Sequence, residues 1–155
     1  MTEGKDFAVV HLPELKWPRS PCVLSPRFRL FVAADVANVS TNVLSDFGFG
    51  ALRSGMVYFS AWGRGCERFH DIVDDILVED DLGEKRFNGP TEKDTVMTTW
   101  HDHDSLEDAL DFFAICAVPS DGFAADSNFR LVMCWGDPQW TERARTFLQA
   151  ATFFV

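Results

Sequence analysis

The chain has 155 residues and a formal net charge of −10 at pH 7, because 24 acidic residues face only 14 lysines and arginines. Such a charge disfavours nucleic-acid binding, which requires cationic side chains to displace counterions from phosphates. The proportions of hydrophobic and charged residues are those of a globular chain rather than a disordered one. No apolar run reaches the roughly 18 residues that a membrane span needs, and the first residues lack a secretion signal. We therefore expect one cytoplasmic domain without membrane or nucleic-acid partners.

Hydrophobic patterns, taken in chain order, predict strands that alternate with helices. Residues 1–27 contain a short strand over Phe7–Leu12 and a proline-rich connector, whereas residues 28–155 repeat strand and helix. The predicted strands of this body cover 28–34, 56–62, 95–100 and 128–135, and its predicted helices cover about 40–54, 66–78, 105–117 and 138–154. This order predicts a three-layer α/β fold, Rossmann-like or flavodoxin-like, with a mainly parallel sheet of about four to five strands.

The carboxyl edge of this sheet is where we expect ligands to bind. The usual doubly wound arrangement places strand 28–34 between strands 56–62 and 95–100. The topological switch point then lies between the loops that follow Ala34 and Thr99. Polar and aromatic side chains at the ends of the strands would meet at this edge: Asp35, Trp62, Trp100, His101, Asp102, His103 and Trp135.

Cys66 is the cysteine in the most activating position. It follows Gly63-Arg64-Gly65 at the start of a predicted helix, where the helix dipole and Arg64 would lower a thiol pKa. His101 would be the base of a Cys–His pair, with Asp35 or Asp102 orienting it. The alternative interpretation is a small buried residue packed under the helix. The glycines lack the third member of a dinucleotide fingerprint, so no cofactor is predicted.

Two histidines, His101 and His103, are two residues apart. In extended backbone both imidazoles would lie on one side, and with a carboxylate such as Asp35 they could hold a divalent metal. Capping of the next helix by Asp104 or Ser105 is the favoured explanation of this loop. We therefore predict no metal site and keep the histidine pair as the less favoured alternative.

Eight acidic residues and one arginine lie between positions 67 and 84. A solvated helix face is the favoured explanation of such a run. The more specific hypothesis is that these residues form an electrostatic surface for a basic protein partner. The residues predicted to form that partner face are Asp71, Asp74, Asp75, Glu79, Asp80 and Asp81.

Ala61-Trp62-Gly63 with Cys66 forms one motif, and Met97-Thr98-Thr99-Trp100-His101 followed by Leu106-Glu107 forms a second. Together these motifs resemble a family of small bacterial proteins that carry a domain of unknown function. The resemblance covers about residues 28–150 and implies an α/β fold but no activity. It marks Trp62, Cys66, Trp100 and His101 as motif positions and leaves His103 outside the pattern.

Two functions follow from these observations. The first is a protein-binding module of the immunity or inhibitor type that neutralises a basic partner, which the charge, the small size and the lack of catalytic signatures favour. The second is an enzyme or small-ligand-binding domain that uses Cys66 and His101. The side chains around its ligand would be Trp62, Arg64, Trp100, Asp102 and Trp135. The apolar end Phe153–Val155 either packs on the core or forms a homodimer contact, and the pattern leaves both open.

Overall fold

The computed structural model describes residues 2–3, 6–19, 26–89, 91 and 93–151. Its strands are β1 (Thr2–Glu3), β2 (Phe7–Leu12), β3 (Phe28–Ala34), β4 (Met56–Trp62), β5 (Met97–His101) and β6 (Arg130–Trp135). Its helices are α1 (Thr41–Arg53), α2 (Cys66–Leu82), α3 (Leu106–Ile115) and α4 (Pro138–Ala150), with a 3-10 turn over Ala124–Asp126. The predicted body elements are all present, with ends that differ by a few residues. Cys22 and the predicted end of the last helix, 152–154, lie outside the described residues.

Five parallel strands form the sheet in the order β2-β6-β3-β4-β5, and β1 adds a short antiparallel strand beside β2. The core on one face joins the sheet to α1 and α2, and the core on the other face joins it to α3 and α4. The predicted three-layer α/β class is therefore confirmed. Every residue of the central strand β3 is buried, as a parallel strand covered on both faces requires.

The predicted position of strand 28–34 is wrong. β3 lies between β4 and β6, and β5 lies at the edge of the sheet beside β4. The chain adds β4 and β5 outward from β3, then returns through α3 on the other face and inserts β6 between β3 and β2. The switch point therefore lies between the loops after Ala34 and Trp135. Local patterns do not reveal this order, because one β-α unit resembles the next.

The loops after β3 and β4 approach each other closely at Gly63. This glycine has φ of 113°, and a Cβ added to it would lie 2.1 Å from the carbonyl oxygen of Ala34. The backbone N–H of Val36 donates to the carbonyl of Arg64 at 2.8 Å and holds the two loops together. Gly136, after β6, has a similar φ of 107°, but the nearest atom to its added Cβ is a Trp140 ring carbon at 3.6 Å.

These two glycines form a matched pair for a stability test. Gly63→Ala puts a side chain on a residue with positive φ and also makes its Cβ clash with the carbonyl of Ala34. It should therefore lower the free energy of unfolding by about 3 kcal/mol or more. Gly136→Ala adds the strain of a positive φ alone and should cost about 1 kcal/mol. Urea unfolding at pH 7 measures both losses. Equal losses would contradict the close approach of the loops.

Candidate functional site

Cys66 begins α2 and lies beneath it, with 1% of its surface exposed. It belongs to the core on the face of α1 and α2. Burial raises the pKa of the Cys66 thiol, although the backbone N–H of His101 donates a hydrogen bond to the sulfur. The prediction of a lowered Cys66 pKa is wrong, because desolvation outweighs the start of the helix.

The imidazole of His101 lies on the opposite face of the sheet from Cys66. Side chains alternate along a strand, and the His101 ring contacts Phe112 of α3 with ring centroids 4.8 Å apart. Its Nδ1 lies 3.0 Å from a carboxylate oxygen of Asp104. The sheet therefore separates this imidazole from the thiol, and Asp104, rather than Asp35 or Asp102, orients it.

Asp104, His101 and Thr99 form a chain of carboxylate, imidazole and hydroxyl groups. Nε2 of His101 lies 3.4 Å from the Thr99 hydroxyl, and the order of groups is that of a nucleophilic triad. The Thr99 hydroxyl donates to Oγ of Ser60 at 3.1 Å, and Ser60 is fully buried. The chain of groups therefore attaches β5 to β4 and does not present an activated hydroxyl to solvent.

The two histidines of the less favoured metal alternative do not converge. His103 is 92% exposed and lies 3.5 Å from the Asp102 carboxylate, because β5 ends at His101 and the backbone turns there. Asp35 pairs with Arg64 at 3.4 Å in the loops after β3 and β4. Across the described residues, no group of three His, Cys, Asp or Glu side chains is placed to hold a metal ion.

A cleft of about 350 Å³ opens beside Cys66 at the start of α2, and its walls include Arg68 and Asp102. Arg68 donates to the carbonyls of Val36, at 2.9 Å, and of Val39. Its guanidinium is therefore engaged with the loop after β3, which it holds against α2.

A larger cavity, of about 890 Å³, lies at the observed switch point. It is bounded by residues 13–19, by α1 and by Trp135 at the end of β6. Trp17 is held there by a hydrogen bond from its indole to Oγ of Ser54 at 2.9 Å. Of the predicted ligand-binding residues, Trp135 lies at this cavity.

Trp62 and Trp100 have different surroundings from Trp135. The indole N–H of Trp62 donates to the carbonyl of Asp104 at 2.9 Å, and its ring packs edge-on against Trp140. Trp62 therefore holds the loop after β5 onto α4. Trp100 remains 41% exposed, with its ring 4.5 Å from that of His70.

His70, which sequence reasoning did not single out, is the centre of a polar cluster beneath Trp100. Its Nδ1 lies 2.9 Å from Oδ1 of Asp71, and its Nε2 lies 2.9 Å from the hydroxyl of Thr98. Thr98 donates in turn to Oδ1 of Asp74 at 2.6 Å. The cluster joins α2 to β5 and supports the Trp100 ring from below. Its only signal in the sequence is the i, i+4 spacing of His70 and Asp74 on one helix face.

Asp80 does not belong to the predicted partner face, because only 5% of it is exposed. Its carboxylate accepts hydrogen bonds from Nε of Arg86 at 2.9 Å and from the backbone N–H of Phe87 at 3.0 Å. Burial favours a higher pKa for Asp80, but these hydrogen bonds outweigh it and the pKa lies below its ordinary value. The other five residues of that prediction, Asp71, Asp74, Asp75, Glu79 and Asp81, are exposed or half-buried.

The doubly wound parallel sheet, with its cavity at the switch point and its carboxylates along α2, defines a three-layer α/β protein. Residues 7–151 match the family described as Domain of unknown function (DUF7684), and the chain belongs to that family. No curated protein and no solved structure matches the chain. None of the helices in the described ranges combines the length and the apolar character that crossing a membrane requires.

The burial of Cys66 predicts low thiol reactivity in the native protein. In a Cys22→Ser background, the exposed Cys116 should react first with a disulfide reagent. Cys66 and Cys134 should react at least about 100-fold more slowly, because both are buried and burial raises both pKa values. Mass spectrometry of the labelled peptides measures each rate. A Cys66 that reacts as fast as Cys116 would restore the nucleophile hypothesis.

The lowered pKa of Asp80 predicts a pH-dependent contribution to stability. Since this pKa is lower in the folded chain than in the unfolded chain, the stabilisation is present above the unfolded value and is lost as pH falls through the folded value. Asp80→Asn should lower the free energy of unfolding by about 2 kcal/mol at pH 7. Below about pH 4, the free energy of unfolding of this variant should fall less steeply with pH than that of the unmodified protein. Asp75→Asn, on the exposed side of α2, is the matched control in the same urea titrations and should leave both quantities unchanged.

Proposed function

We propose that this protein is a protein-binding module of the inhibitor or immunity type, and that its partner is a basic protein. The partner binds at a surface that we name the acidic edge. The acidic edge consists of the free edge of β5, the indole of Trp100, the carboxylates of Asp71 and Asp74 beside His70, and those of Asp75 and Glu79 farther around the exposed side of α2. The exposed, supported Trp100 is the observation that carries the proposal.

Trp100 has the properties of a binding anchor. Its ring rests on His70, which is fixed in turn by Asp71 and Thr98. An aromatic ring that is already held in place loses little conformational entropy when a partner covers it. Tryptophan is also among the residues that contribute most to binding free energy at protein interfaces.

The carboxylates of the acidic edge favour a cationic partner. Among the described residues, no lysine or arginine forms an ion pair with Asp75 or Glu79. Asp71 and Asp74 contact His70 and Thr98 while remaining partly exposed to solvent. Lysines and arginines of a partner would neutralise this surface, and the net charge of −10 would accelerate their approach.

Small-ligand binding is the second candidate, and the cavity of about 890 Å³ at the switch point favours it. In this form the alternative depends on Trp17 and Trp135 rather than on Cys66 and His101, which lie on opposite faces of the sheet. In the order of strands the large cavity is remote from the acidic edge. The two candidate functions therefore use different parts of the structure.

Affinity capture from cells that make the protein tests the protein-binding function. The tagged protein should retain a basic partner at low salt and lose it at high salt, because exposed charges are screened. Asp75→Lys with Glu79→Lys should reduce the captured partner by about tenfold or more, since each reversed charge replaces attraction by repulsion.

The control for this experiment reverses two exposed carboxylates on the other face of the protein. Asp108→Lys with Asp111→Lys changes the net charge by the same amount but leaves the acidic edge intact, so the partner should be retained. A partner that is lost equally with both pairs of changes would show attraction to net charge alone. Absence of any partner at either salt would refute the protein-binding function and favour the ligand cavity.

A further inference from the structure

β5 leaves one edge of the sheet open. At the opposite edge, β1 pairs with β2, but among the described residues β5 has a single strand neighbour, β4. The outer edge of such a strand presents N–H and C=O groups that a further strand can pair with. Proteins usually protect such edges with lysine or proline, and Met97–His101 contains neither residue.

Side-chain contacts hold β5 in place on both of its faces. On the face of α2, Thr98 donates to Asp74 at 2.6 Å. On the face of α3, Thr99 donates to Ser60 at 3.1 Å, and His101 pairs with Asp104 at 3.0 Å. A strand that is already fixed in extended conformation is preorganised for pairing. β5 therefore loses little conformational entropy when another strand pairs with it.

The two faces of β5 differ in chemistry. On the face of α2, Trp100 and the partly exposed carboxylates of Asp71 and Asp74 surround His70. On the other face Met97 is 41% exposed. Because alternate residues of a strand point to opposite faces, a strand added beside β5 would meet carboxylates and an indole on one face and a thioether on the other.

We propose that the partner adds an extended segment to β5 as a further strand, and that this segment alternates basic and apolar residues. This inference rests on the proposed function and specifies its binding mode. Lysine or arginine at every second position pairs with Asp71 and Asp74 and stacks on the ring of Trp100. The intervening apolar residues cover Met97. Charge argues against a second copy of this chain as the added strand, because each copy carries a net charge of −10.

Synthetic peptides of about eight residues, long enough to pair with β5, test the binding mode. The probe alternates lysine and valine. One control replaces each lysine by glutamate, and a second replaces each valine by proline, which keeps the charge but removes N–H groups. The lysine–valine peptide should slow amide hydrogen exchange in β5 of the intact protein by about tenfold or more. Neither control should do so.

A matched pair of protein variants completes the test. Met97→Lys places a cation on the free strand and should weaken binding of the lysine–valine peptide by about tenfold or more. Ile115→Lys adds the same charge at a comparably exposed apolar residue of α3 and should leave binding unchanged. Both side chains are on the surface, so both variants should fold, and thermal unfolding verifies this.

The outcomes separate the binding mode from the proposed function. Equal binding of the lysine–proline peptide, or slower exchange confined to α2, would overturn strand addition while leaving a charge-driven partner in place. Absence of binding by the lysine–valine peptide would also overturn it. Protection of β5 without peptide, together with a concentration-dependent dimer in sedimentation, would identify a second copy as the added strand. The capture experiment tests the proposed function separately, because absence of any partner at either salt would refute it.

Discussion

Burial of β3 on both faces is the constraint on which the rest of this structure depends. Phe28, Leu30 and Val32 contribute to the core under α1 and α2, whereas Phe31 and Ala33 contribute to the core under α3 and α4. A parallel strand of this kind is stable only when helices cover both faces. Arg29 is accommodated within the strand because its guanidinium donates to the carbonyls of Ser127, at 2.8 Å, and of Ala117, at 3.0 Å.

Covering the central strand leaves β5 at the periphery. The chain places β6 between β3 and β2. Among the residues that the structure describes, β5 then has one strand neighbour, and its side chains are partly exposed on both faces. The polar clusters around Asp74 and Asp104 compensate by holding β5 against α2 and against the loop before α3. The same arrangement that completes the core therefore leaves a strand edge beside the carboxylates of Asp71 and Asp74 on α2.

Residues of types that are common in catalytic sites have structural roles in this protein. The carboxylate, imidazole and hydroxyl of Asp104, His101 and Thr99 stand in the order of a catalytic triad, but the hydroxyl is engaged by buried Ser60. Cys66 has the position of an activated thiol at the start of a helix, but its burial raises its pKa. The fold therefore buries or engages these reactive groups, whereas it leaves the indole of Trp100 partly exposed.

The sequence by itself determined the elements of this protein and their class. The apolar run of β3, the capping of α3 by Ser105, whose hydroxyl accepts from the N–H of Asp108, and Pro138 at the start of α4 are all decided by residues close together in the chain. Tertiary structure alone decided the strand order, the separation of Cys66 from His101, the burial of Asp80 and the exposure of Trp100. These depend on pairings between distant segments, such as β3 with β6, and on which face of a strand or helix meets the core. A linear pattern cannot express either property, because both result from packing all the elements together.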